Sequence, residues 1–176
     1  AANLVMLLRV GDLTAAISRP ALAALWPALA AAGSAGAIAV IYLWRGRDAT
    51  RGAQAALEIK NPMEMRPALF FAVLLAVISV AASFGADEFG QAGLVVVALI
   101  SGLADVDALT LIAGQQAAAG AVAPTAAAIA IMAAVASNIV VKAGMTIAIG
   151  GARAGVPVAL AFMMIIIAGA FAFAAF

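Results

Sequence analysis

Two carboxylates stand in the middle of a strongly apolar stretch of this chain. Asp105 and Asp107 lie within SGLADVDALTL, residues 101–111. A carboxylate in such surroundings is costly unless a cation, water or hydrogen bonds compensate it. We therefore predict that both aspartates belong to a cation or proton site. In the next long apolar run, Lys142 is the expected counter-ion and Asn138 the expected neutral ligand.

The spacing of the two aspartates decides whether they can share one site. On a regular helix, two residues separated by two positions point about 200° apart. A break near Gly102 would let both carboxylates converge, and discontinuous helices of this kind recur in transporters. Hard cations favour carboxylate and amide oxygens. Asp105 and Asp107 are therefore the predicted metal ligands, with Mg²⁺ or another hard cation as the expected ion.

A structural interpretation competes with the ion site. Charges and amides within membrane helices often serve only to hold the helices together. Arg9 and Asp12, three positions apart on one helical face, are expected to neutralise each other in this way. The chain would then be a non-transporting accessory subunit of a larger bacterial membrane complex. A polar cavity that reaches Asp105 would favour the ion site, and a dry, fully paired site would favour the structural interpretation.

The composition limits the class of protein. The chain has 176 residues, of which 68% are hydrophobic and 10% charged, whereas soluble domains are about half apolar and a quarter charged. Without Cys or His it offers no disulfide, no ordinary zinc site and no Ser-His dyad. It also has no phosphate-binding loop, and we do not expect an enzyme. The expected partners are membrane lipids and a homo-oligomer or larger membrane complex, not nucleic acid.

The apolar runs predict the elements that must position these residues. A bilayer core of about 30 Å needs roughly 20 apolar residues for each helical crossing. We predict an all-α transmembrane bundle forming a single domain of about six segments, with segment four broken near Gly102. If segment four were re-entrant, the chain would cross five times. The predicted segments cover residues 1–18, 21–44, 67–84, 91–118, 125–149 and 156–176.

The orientation follows from the positive charges. The polar link of residues 45–61 contains Arg45, Arg47, Arg51 and Lys60. Short loops rich in Lys and Arg stay on the cytoplasmic side of a membrane. We therefore expect this link to be cytoplasmic and the protein to lie in a bacterial inner membrane.

Three stretches in the same order carry a resemblance to a known family. They are NPMEMRPALFFAVLLAV (61–77), AGLVVVALISGLADVDALTL (92–111) and ASNIVVKAGMTIAIGG (136–151). Together they resemble the DUF4010 membrane domain, the C-terminal half of many bacterial MgtC/SapB-like proteins. The resemblance covers almost the whole chain and implies a membrane domain of no settled activity. It also implies a polar signature: Asn61, Glu64 and Arg66 as an interfacial motif, then Gly102, Asp105 and Asp107, then Asn138 and Lys142.

Overall fold

A computed structural model describes residues 2–45 and 65–175 of the chain. Within these ranges the regular structure is helical, and no strand occurs. The predicted all-α class is therefore confirmed. The helices are α1 (Ala2–Ile17), α2 (Arg19–Arg45), α3 (Met65–Ala104), α4 (Val106–Ala118) and α5 (Pro124–Ala175).

Two of these helices are interrupted at a glycine. The backbone of α3 leaves helical geometry at Gly90, with φ 57° and ψ −139°. That of α5 does so at Gly151, with φ 69° and ψ 170°. A positive φ is readily adopted by glycine and rarely by other residues. The two breaks lie between predicted segments three and four and between segments five and six.

Among the residues that the structure describes, three helical stretches are long and apolar enough to cross a membrane: Arg19–Leu43, Pro124–Ala148 and Gly155–Ala175. This finding indicates a multi-pass membrane protein. The three stretches correspond to the predicted segments 21–44, 125–149 and 156–176. The other elements include α1 with 16 residues and α4 with 13, both shorter than the roughly 20 residues of a full crossing. A shorter apolar helix also occurs at Ala92–Ala104.

The short helix α4 lies in the interior of the bundle. Its residues from Val106 to Thr110 are all buried, and α1, α3 and α5 all contact it. Leu109 and Thr110 have no exposed surface. The hydroxyl of Thr110 donates a hydrogen bond to the Val106 carbonyl, 2.9 Å away, so this buried polar group is satisfied within its own helix.

The end of α3 is pressed against α5 just before the chain enters α4. A Cβ placed on Gly102 would collide with the carbonyl oxygen of Ala134, so only glycine allows this approach of the two backbones. Close contact through small residues is a common way for membrane helices to pack. One turn along α5, Ser137 Oγ donates a hydrogen bond of 2.7 Å to the Leu99 carbonyl. These contacts fix where α3 ends.

Candidate functional site

The chain leaves helical geometry at Asp105, between α3 and α4. Asp105 is extended, with φ −155° and ψ 136°, and its carboxylate accepts hydrogen bonds of 3.3 Å from the amides of Asp107 and Ala108. It is therefore the N-cap of α4. The break predicted near Gly102 lies three residues later, and Gly102 itself is helical. The assignment of Gly102 as the helix break was wrong, because its missing Cβ serves the contact with Ala134.

The N-cap at Asp105 also changes the hydrogen bonding of the last backbone carbonyls of α3. In an unbroken helix the carbonyls of Leu103 and Ala104 would accept bonds from the amides four residues later. Those amides belong to Asp107 and Ala108, and they bond to the Asp105 carboxylate instead. The two carbonyls thereby lose their helical partners. Oxygen acceptors are thus added next to the aspartates.

The carboxylate of Asp107 forms an ion pair with Arg9 of α1. The Asp107 side chain is only 13% exposed, whereas the Arg9 side chain is 64% exposed. The sequence predicts Lys142 as the counter-ion of the aspartates and Asp12 as the partner of Arg9. The pairing of Arg9 with Asp12 was wrong, because α1 packs against α4 and brings Arg9 to Asp107. Lys142 lines the same cavity as both aspartates, and its role as their counter-ion stays a prediction. The side chain of Asp12 lies on the exposed side of α1.

Asn138 links the site to the end of α3. Its Nδ2 donates a hydrogen bond of 2.9 Å to the Gly102 carbonyl. Its Oδ1 is buried and has no hydrogen-bond partner within the part of the chain that the structure describes. Asn138 is 9% exposed. An unpaired acceptor at this depth costs free energy, and a water, a donor or a cation would compensate it.

Lys142 lies one helical turn from Asn138 on α5. Its Nζ contacts the sulfur of Met6 at 3.5 Å. A thioether is a weak acceptor, so this contact satisfies an ammonium group poorly. Among the described residues, no carboxylate forms a salt bridge with Lys142. Its positive charge is therefore not cancelled by a direct partner.

A single cavity of about 260 Å³ connects these groups. Its polar lining consists of Arg9, Asp105, Asp107, Asn138 and Lys142, and the rest of its wall comes mainly from apolar residues of α1. Because the lining side chain of Arg9 is mostly exposed, the cavity reaches the surface of the chain on that side. The volume far exceeds the roughly 10–15 Å³ that one water requires.

The structure brings together all four residues of the predicted site. Asp105, Asp107, Asn138 and Lys142 all line the cavity. The sequence reasoning missed Arg9, although a cation inside an apolar helix is a signal of the same kind as Lys142. No group of three or more Asp, Glu, His or Cys residues suited to a metal ion occurs in residues 2–45 and 65–175. A hard cation here would need water or neutral oxygens besides the two carboxylates.

The predicted interfacial motif falls largely outside the described ranges. Asn61 and Glu64 lie outside them, as does the link of residues 46–61. Arg66 belongs to the first turn of α3. The motif and the cytoplasmic placement of the link stay predictions.

The long apolar helices, one of which contributes Asn138 and Lys142 to the charged cavity, define the class of this protein as a multi-pass helical membrane domain. Comparison with known protein families then identifies the family of this chain. The chain belongs to the family described as a domain of unknown function, DUF4010, which matches residues 1–150. The resemblance predicted from the three stretches is confirmed.

A relative of this chain is an uncharacterised protein of Aquifex aeolicus (strain VF5). The two are 31% identical over 113 residues, which is 64% of this chain and 48% of the relative. The chain thus spans about half the length of that protein. Neither description mentions magnesium transport, MgtC or SapB. No solved structure matches the chain significantly.

Proposed function

We propose that this chain is a transport-type or ion-responsive membrane domain that holds a cation or a proton in the cavity at Asp105. The observation that carries the proposal is a polar cavity at a helix break, reaching the surface of the chain and containing both aspartates. Broken helices whose ends face a bound ion are a recurrent architecture of transporters. A dry, fully paired cluster would have favoured a purely structural role instead.

The polar groups that lack a strong hydrogen-bond partner support the binding of a ligand, rather than a role that is limited to holding helices together. Polar side chains that only hold helices together are expected to be satisfied, as Ser137 is by the Leu99 carbonyl. Asn138 Oδ1 has no partner in the described residues, and Lys142 Nζ donates to the sulfur of Met6, which is a weak acceptor. In this proposal Asp105 and Asp107 attract the ion, Asn138 adds a neutral oxygen, and Lys142 balances charge.

The membrane setting is part of the proposal. Large apolar side chains are exposed on the outer faces of the helices, among them Ile38, Leu160 and Phe171. Lipid tails or the helices of other subunits would cover such faces. We propose a bacterial inner membrane, a homo-oligomer or larger complex, and six crossings in which Ala92–Ala104 and α4 form one discontinuous segment.

Cation-dependent thermal melts test the ion site. Purified protein in mild detergent would be melted with Na⁺, K⁺ or Mg²⁺ chloride against choline chloride, at matched ionic strength. A bound cation raises the stability of the wild type by mass action, and Asp107→Asn abolishes this effect. Asp12→Asn removes the same charge from an exposed position and should behave like wild type. If no cation and no change of pH shifts the wild-type melt, the aspartates are structural.

Flux measurements then separate transport from sensing. In proteoliposomes, a transport-type domain carries the stabilising cation or protons across the bilayer, and Asp107→Asn stops that movement. Binding without flux identifies an ion-responsive domain. If the protein neither binds an ion nor moves one, and purifies only with other membrane proteins, the accessory-subunit alternative replaces the proposal.

The orientation can be tested separately with one cysteine. Because the chain contains no Cys, Ala53→Cys introduces a unique thiol into the basic link. The positive-inside rule predicts that a membrane-impermeant reagent labels it only from the cytoplasmic side. Labelling from outside intact cells would reverse the proposed topology.

A further inference from the structure

The charges around the cavity already balance. Within the described residues, its lining contains two carboxylates, Asp105 and Asp107, and two cations, Arg9 and Lys142. Any ion that enters therefore adds its full charge to a neutral site. An uncompensated charge away from bulk water is costly, and the cost rises with valence. A monovalent ion disturbs this balance much less than a divalent ion does.

The hydrogen-bonding groups around the cavity favour a cation over an anion as its ligand. The carboxylate of Asp105 occupies the first amides of α4, so this helix N-terminus is not free to hold an anion. Asn138 Oδ1 is a buried acceptor without a partner in the described residues. Ala104 also lines the cavity, and its carbonyl has lost its helical partner, because the amide of Ala108 donates to Asp105 instead. Oxygen acceptors are what a cation requires.

The two basic residues contribute differently to this balance. Arg9 makes a direct ion pair with Asp107, so its charge already has a counter-charge. Lys142 is only partly exposed and contacts the sulfur of Met6 rather than a carboxylate. An ion that enters the cavity therefore meets the positive charge of Lys142, which no carboxylate of the described residues pairs with directly.

We infer that the cavity takes a monovalent cation, and that Lys142 is the residue that sets this valence by repelling divalent ions. The inference rests on the proposed function and narrows its ligand from cations in general, Mg²⁺ included, to ions such as Na⁺ or K⁺. The volume of about 260 Å³ leaves room for such an ion together with several waters. Asn138 and the freed Ala104 carbonyl would replace part of its hydration shell.

Neutral variants of Lys142 test the inference. Lys142→Met removes the charge and keeps an unbranched side chain, and Lys142→Gln is a second neutral variant with a polar end. Arg153→Met is the matched control, because Arg153 is exposed and lies outside this cavity, so its loss changes the net charge equally. For each protein, apparent dissociation constants for Na⁺, K⁺ and Mg²⁺ come from melts at constant ionic strength.

Loss of the Lys142 charge should strengthen the binding of a divalent ion more than that of a monovalent ion. A divalent ion feels a neighbouring charge twice as strongly in free energy as a monovalent ion does. If a neutral variant binds Na⁺ more tightly by some factor, it should therefore bind Mg²⁺ more tightly by about the square of that factor. The wild type should bind the monovalent ion and discriminate against Mg²⁺, and Arg153→Met should match the wild type.

Two other results would be decisive in different ways. If wild type binds Mg²⁺ at least as tightly as Na⁺ and K⁺, and the neutral variants leave that order unchanged, Lys142 does not select valence. The broader cation site would then stand while this inference falls. If none of the three ions binds wild type or either neutral variant, the cation site itself is overturned.

Discussion

Gly90 and Gly151 interrupt their helices in a different manner from Asp105, which separates α3 from α4. Both glycines have a positive φ, and a Cβ added to either would meet no other atom within 4 Å. Each glycine therefore forms a turn between two helical stretches, with space around it for a side chain. Asp105 has an ordinary extended conformation, is partly buried, and replaces the lost backbone bonds with its own carboxylate. A helix break built from a charged cap and packed among other charges indicates a site, whereas a glycine break indicates only a change of direction.

The largest effect should come from the contact that fixes the Asp105 break in place. In Gly102→Ala, the new methyl group would collide with the backbone of Ala134, so α3 and α5 must separate. We expect a loss of about 3 kcal/mol in the free energy of unfolding. Denaturant titration in mild detergent measures it. Gly144→Ala is the control, since its Cβ would meet nothing and should cost little. Equal stability of the two variants would show that the close approach is not required.

The ion pair at the break should have the next largest effect. Arg9→Met leaves Asp107 without its direct partner, and we expect a loss of about 2 kcal/mol. This is less than the roughly 3–5 kcal/mol for a fully buried pair, because Arg9 is mostly exposed. Adding Asp107→Asn should recover most of the loss in a double-mutant cycle by chemical denaturation. A double variant no more stable than Arg9→Met would mean that Arg9 stabilises through packing alone.

A glycine break should respond to backbone strain rather than to charge. Gly151→Ala forces a side chain into a backbone conformation, φ 69° and ψ 170°, that is essentially restricted to glycine, and we expect a cost on the order of 1–2 kcal/mol. Thermal melts should show this loss at any ionic strength. Gly33→Ala, at a helical position with open space around the new Cβ, should be neutral or slightly stabilising. A salt-dependent effect at Gly151 would contradict the contrast between the two kinds of break.

The smallest effect separates the two roles of Asp105. Asparagine caps helices about as well as aspartate, so Asp105→Asn should fold with nearly wild-type stability. Asp105→Ala loses the cap and should cost about 1 kcal/mol. Circular dichroism melts measure both, with Asp12→Ala as an exposed control. If the asparagine variant is as unstable as the alanine variant, the charge of Asp105, and not its capping bonds, holds the break.

The apolar runs were enough to predict an all-helical chain, because membrane helices must be both long and apolar. They also led to Asp105, Asp107, Asn138 and Lys142, since polar groups are conspicuous in such runs. The position of the break was missed. An aspartate directly before an apolar run is an N-cap signal that locates the break at Asp105, whereas the flexibility of glycine favours Gly102, three residues earlier.

What sequence reasoning could not supply depends on contacts between distant parts of the chain. Gly102 is needed for its approach to Ala134, which only the packing of α3 on α5 reveals. Arg9 reaches Asp107 because α1 packs against α4, and Asp12 was the nearer candidate in sequence. The balance of charge in the cavity follows from that pairing. It could not be read from the spacing of the aspartates alone.

The enclosed position of α4 has a consequence for how the protein is made. With 13 residues, α4 rises about 20 Å and is too short to span a bilayer core of about 30 Å by itself. Its surroundings include α5, which the ribosome synthesises later. During synthesis α4 therefore emerges before part of its binding surface exists. Its final docking must await the first half of α5, so the cavity is completed late in biogenesis.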